Sequence, residues 1–179
     1  MKIILRSLYL ATLVATPASR AADTPVSGEF AGHTPLQWSL RLADSEMARR
    51  GDRLAWKQGG SAKWDYSVGL FTLSLLKLNG VAEDPRYVRF AETTIGSFIM
   101  PDGQIRGYKA GDYNIDNINP GKTVLALYEI TKEERYGKAA GLLRKQLDAQ
   151  PRTSEGGFWH KQRYPHQMWL DGLYMGAPF

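Results

Sequence analysis

Two carboxylates, a histidine and a set of aromatic and cationic side chains stand just ahead of, or inside, three apolar segments. Trp64, Asp65 and Tyr66 precede the first; Asp116, Asn117 and Asn119 precede the second; Trp159, His160, Lys161, Arg163, Tyr164, Trp169 and Asp171 surround the third. Acids, stacking rings and cations converging on one concave mouth are what carbohydrate binding requires. Aromatic faces cover the apolar face of a sugar, and charged forks hold hydroxyls or a uronate. Asp171 is the sharpest candidate, because it interrupts the apolar run Met168-Trp169-Leu170-Asp171-Gly172-Leu173-Tyr174-Met175. Burial there would favour the protonated form that acid catalysis needs. A carboxylate favoured by a helix start, or one paired with Arg163, fits the same spacing. Asp116 is either a second functional acid or the N-terminal cap of the following helix. His160 could be a base, a metal ligand, a hydrogen-bond donor or a plain loop histidine.

Several chemistries are excluded. The chain has no cysteine, so it has no disulfide framework, CxxC redox site or thiolate metal site. His160 and His166 lie six apart across a proline, unlike the HExxH pair, so no metal site is expected. There is no GxGxxG or Walker loop and no GxSxG nucleophile elbow, and no cofactor is called for.

The elements that must position these residues read as helices. Thr34-Pro35 is a helix start, with Leu36, Leu40, Ala43 and Met47 at helical spacing and Arg50-Gly51 as the stop. Val68 to Leu78 is apolar almost all round, as expected for a helix buried on most sides. Asp84-Pro85 opens an amphipathic helix, residues 100–114 form a loop, and Asn119-Pro120-Gly121 enters a second apolar helix over Thr123 to Ile130. Lys132 to Gln150 is amphipathic, and His166 to Gly176 reads as a sixth, apolar helix. No stretch alternates like a strand, so the class is all-α. Apolar helices (68–78, 123–130, 167–175) alternate with amphipathic ones (36–49, 85–98, 133–149). Asp84-Pro85-Arg86-Tyr87 is echoed by Glu133-Glu134-Arg135-Tyr136, with Arg86 and Arg135 49 residues apart. A helical hairpin repeating at that period describes a two-layered toroid or solenoid; an irregular bundle with a chance echo is the alternative.

Charge adds little. The 179 residues carry a net charge of +5, but Lys2, Arg6 and Arg20 belong to residues 1–21, which read as an export signal. The positive start, the short apolar run Leu8 to Ala15, Pro17, and the small residues Ser19 and Ala21 fit that pattern. That run is shorter than the roughly 20 residues a spanning helix needs. With the signal set aside, the near-neutral remainder removes the compositional case for nucleic acid. The expectation is an exported, periplasmic or secreted bacterial protein with a leader over 22–33 and no membrane span in the mature chain.

The segments Asp116-Asn117-Ile118-Asn119-Pro120-Gly121-Lys122, Gln150 to Lys161 and Tyr164 to Gly176 resemble the unsaturated rhamnogalacturonyl hydrolases of glycoside hydrolase family 105, relatives of the family 88 glucuronyl hydrolases. The resemblance runs over residues 34–179. It implies an (α/α)6 barrel of six hairpins, with Asp171 as general acid/base and Asp116 as the carboxylate beside it. It also implies Trp169, His160, Lys161 and the Asp65-Tyr66 pair as the lining of a sugar subsite. The implied substrate is a pectin-derived oligosaccharide ending in a 4,5-unsaturated uronyl residue. Six hairpins at this period need roughly 300 residues, so 34–179 are expected to be the N-terminal half of such a domain. A non-catalytic helical-repeat module that binds glycan or a partner protein is the competing class.

Overall fold

The computed structural model describes residues 28–51, 54 and 60–179; the export signal and the first half of the leader lie outside them. Among the described residues the chain is all-α, with six helices and no sheet: α1 (Pro35–Arg50), α2 (Tyr66–Ala82), α3 (Pro85–Gly96), α4 (Gly121–Thr131), α5 (Glu134–Ala149) and α6 (Leu170–Gly176). None of these helices is long and apolar enough to cross a membrane.

The helix starts follow from local chemistry. Thr34 caps α1 through a reciprocal box with Gln37, and Pro35 supplies the preset first φ angle. Asp84 caps α3 by accepting from the Arg86 N–H, and Pro85 again stands first. The 49-residue echo is a structural one. Tyr87 and Tyr136 are both buried at the starts of α3 and α5, each beneath the guanidinium of the arginine before it. Those arginines pair with Asp84 and Glu133 respectively. The repeat therefore uses one device twice: an acid fixes an arginine, which covers a core tyrosine.

The apolar helices form the inner layer. Gly69 of α2 lies so close to Pro120 that an added Cβ would come within 2.5 Å of its Cα. One turn further, the Thr72 and Thr123 hydroxyls meet at 3.1 Å. Both pairs advance by three residues in each chain direction, so α2 and α4 run parallel with their starts at one rim. The main core joins Val68, Ile95, Val124, Leu127, Tyr136 and Leu143 across α2 to α5; Ala43, Leu75 and Tyr87 tie α1 to the next pair.

Two expectations are modified. The apolar helices are not enclosed on most sides: Leu70 and Val81 of α2, Ile130 of α4, and Leu170 and Leu173 of α6 are exposed. Three hairpins cover an inner helix from the outside and from its neighbours, but not from across the ring. The sixth helix also begins at Leu170 rather than at His166. Pro165 and the left-handed His166, with φ at 61°, turn the chain, and residues 167–169 pass without helix to the start of α6.

Candidate active site

Asp116 stands in a 3₁₀ turn, Ile115–Asn117, directly ahead of α4. Asn114 caps that turn by accepting the Asp116 N–H, and Ile115 anchors it in the core. Asp116 itself does not cap α4, which starts after Pro120 without a side-chain cap. The Trp64 indole N–H reaches the Asn117 carbonyl at 2.9 Å, which ties the approach to α2 to the same turn.

The loop bearing His160 is held from two sides. Its backbone N–H donates to the Gln167 carbonyl at 2.7 Å, and its carbonyl accepts the Ile115 N–H at 3.0 Å. The outer layer provides a further clamp that the sequence did not advertise. From just beyond α5, the Gln150 carboxamide donates to the carbonyls of Tyr113 (2.7 Å) and Trp159 (2.8 Å). Gln146 donates to the Gln150 side chain and to the Asn114 carbonyl, and accepts from the Tyr108 hydroxyl. Both glutamines are almost fully buried. Their one available sign in the sequence is position: Gln146 falls on the buried stripe of α5, three residues after Leu143.

These supports bring five predicted residues together: Asp116, His160, Lys161, Trp169 and Asp171. Lys161 Nζ lies 2.7 Å from Asp116 Oδ2, with both side chains 13% exposed. His160 Nε2 is 3.3 Å from Asp116 Oδ1, and His160 Nδ1 is 3.9 Å from Asp171 Oδ1. Neither ring nitrogen has a formed hydrogen bond. Trp169 stacks on the imidazole at 4.2 Å and 10°, and also stacks with Tyr164. The ring is 1% exposed. Burial pushes the His160 imidazole below its ordinary value of 6.5, against the opposing pull of Asp116 and Asp171, and Lys161 adds to the lowering. Asp171 is not the buried helix carboxylate that the apolar run suggested. It sits in the first turn of α6, its side chain is 51% exposed, and the helix dipole favours an anion there. Gly172 lets this turn approach: an added Cβ would meet His160 Nδ1 at 3.3 Å.

Asp65 and Tyr66 are placed differently. One Asp65 oxygen caps α2, accepting from the N–H groups of Ser67 and Val68 and from the Ser67 hydroxyl. Tyr66 lines an apolar cavity of about 460 Å³ between α1 and α2, with Leu42, Leu70 and Phe71. A second, polar cavity of about 470 Å³ opens beside the acid cluster and is lined by Asp112, Asn114, Lys161, Gln162 and Arg163. Asp116, His160 and Asp171 place three ligand atoms within 4.8 Å of one another, a spacing a cation could bridge. The Lys161 ammonium already provides the positive charge on Asp116.

Comparison with known proteins gives a family and a solved relative. Residues 38–179 match Glycosyl Hydrolase Family 88. The fold and sequence are also similar to a solved C. acetobutylicum ATCC 824 glycoside hydrolase from family 105, at 43% identity and a TM-score of 0.68. That match covers 78% of this chain and 37% of the other, so the chain spans little more than a third of its relative.

Proposed function

Because the chain belongs to glycosyl hydrolase family 88, we propose that it carries the acid centre of a hydrolase that removes a 4,5-unsaturated uronyl residue from the non-reducing end of a pectin-derived, rhamnogalacturonan-type oligosaccharide. In this proposal residues 34–179 are the N-terminal half of a six-hairpin toroid, and residues 1–21 are an export signal. The observation that carries it is the pairing of two unlike carboxylates through one imidazole, beside a cation-lined polar cavity.

The substrate's C4=C5 double bond is conjugated to its ring oxygen, so it is an enol ether. Asp171, half exposed and facing open space, is the carboxyl that can reach it. Transfer of its proton to C4 leaves positive charge at C5 shared with the ring oxygen. The resulting carboxylate takes a proton from water as that water adds to C5. The product hemiketal opens to a ketone, and the hemiacetal left at C1 releases the neighbouring sugar. Asp116 does not act as a nucleophile here. Lys161 pairs with it at 2.7 Å, which suits a group that fixes hydroxyls and supports its neighbour, so the two-carboxylate scheme of ordinary glycosidases does not apply. Lys161 and Arg163, on the wall of the polar cavity, match the carboxylate of the uronyl ring.

The test follows the ultraviolet absorbance of the double bond in an unsaturated rhamnogalacturonan disaccharide. Asp171→Asn is expected to lower turnover by about 10²–10⁴-fold with the thermal midpoint nearly unchanged. Near-native turnover in that variant would end the assignment. The glycan-binding alternative has one observation in its favour, the exposed flank of Trp169 beside Tyr164. Saturable binding of the disaccharide with no loss of absorbance would decide for it.

A further inference from the structure

We propose that Arg163 and Tyr164 form the device by which the site selects an acidic sugar: the Tyr164 ring holds the Arg163 guanidinium at the polar cavity, where it receives one carboxylate of the ligand. The inference rests on the proposed uronyl substrate and names the residues that recognise its charge.

The backbone fixes both side chains. The Tyr164 N–H donates to the Lys161 carbonyl at 2.9 Å and closes a turn over residues 161–164, which the Gln162 N–H pins to the Asp112 carbonyl. Pro165 restricts Tyr164 from the other side, and the Gln167 N–H donates to the Tyr164 carbonyl. The Tyr164 ring stacks with Trp169 at 5.3 Å and 19°, and Trp169 stacks in turn with the buried His160. The guanidinium carbon of Arg163 lies 4.9 Å from the centre of the Tyr164 ring. Contact by contact, planar groups thus lead from a buried imidazole to an exposed guanidinium.

The two cations on the cavity wall are not equivalent. Lys161 is 13% exposed and is committed to Asp116 at 2.7 Å. Arg163 is exposed and lines the cavity with Asp112, Asn114, Lys161 and Gln162. It pairs with no carboxylate among the described residues; its partner is the Tyr164 ring. A guanidinium lying against a ring keeps its N–H edge available, and that edge fits a carboxylate through two parallel hydrogen bonds. Holding the fork in place beforehand spares part of the side-chain entropy that binding otherwise costs. A neutral sugar offers it no charge, so the cavity favours the acid over the alcohol of the same shape.

Two sugars that differ at C6 alone, D-galacturonate and D-galactose, test this by NMR titration of the full chain at pH 7 and low salt. The Arg163 Nε–H signal is assigned by its loss in Arg163→Lys. Galacturonate is expected to bind saturably and move that signal, and galactose to leave it in place. Arg163→Gln should weaken galacturonate binding roughly 10–100-fold. Arg163→Lys, which keeps the charge but not the fork, should recover only part of that loss. Tyr164→Leu should weaken binding roughly 2–5-fold, whereas Tyr164→Phe, which keeps the ring, should match the wild type. Equal affinity of the wild type for both sugars, normal galacturonate binding by Arg163→Gln, or a Tyr164→Phe chain as weak as Tyr164→Leu would overturn the proposal. Neither sugar carries a double bond, so the result stands apart from turnover. Failure of the hydration chemistry would appear elsewhere, as an Asp171→Asn variant that still consumes the double bond.

Discussion

The two acids occupy regions built on opposite terms. Asp116 sits on a shoulder, residues 113–121, that is fastened from every side: Trp64 from the first rim segment, Asn114 within the turn, and Gln146 and Gln150 from behind. Asp171 sits on a seven-residue helix whose Leu170 and Leu173 face solvent. Lys122 holds the far end of that helix, with Nζ donating to the Tyr174 carbonyl at 2.7 Å and lying over the Tyr174 ring. The contrast suits the tasks proposed for them. A carboxylate that must stay charged gains from a rigid, partnered surround, whereas one that must give up and regain a proton needs access.

Substitutions can break or sharpen this contrast. The largest effect on stability is expected behind the shoulder. Leu143→Ala, beneath Gly121, should cost about 2–5 kcal/mol, read by denaturant unfolding. Gln150→Ala leaves two partly buried carbonyls without their donor and should cost about 1–3 kcal/mol; turnover should fall with it, because the two loops separate. Unchanged turnover in a folded Gln150→Ala protein would show that the shoulder need not be rigid. Acid should act more gently, through His160. Its folded imidazole binds a proton less readily than the unfolded one, so unfolding takes up protons as the pH falls below about 6.5. This contribution is complete above that pH and declines on acidification. The thermal midpoint of the wild type should therefore drop more from pH 7.5 to 5 than that of His160→Gln. The smallest change is expected on α6, where Leu173→Gln should stay within about 0.5 kcal/mol. A large loss there would mean that the open face is covered in solution.

Much of this was legible in the residues. The proline-led helix starts and the arginine–tyrosine echo translate directly into structure, because each is a local device whose partners lie within a few positions. The acid pair was legible for a different reason: polar side chains placed ahead of apolar helices have few places to go. The start of α6 was hidden because Gln167 to Trp169 has helical composition but is used non-helically, to offer a carbonyl to His160 and a ring to cover it. The exposure of Asp171 was hidden for the same reason, since an apolar neighbourhood in sequence is not a buried one in space. Asp65 shows the limit of residue type alone: an acid before a helix can bind a ligand or cap the helix, and one of its oxygens caps.

Gln150 has a consequence for how such a site can vary. A single carboxamide spans from Tyr113 to Trp159 and so works as a gauge block between the loop of one acid and the loop of the imidazole. It belongs to the outer layer, almost fully buried at the end of α5. The spacing of the proposed reacting groups is thus encoded at a buried position behind them. Changes of tempo or pH response can arise there, through a longer or shorter spacer, while the surface proposed to meet the glycan stays the same.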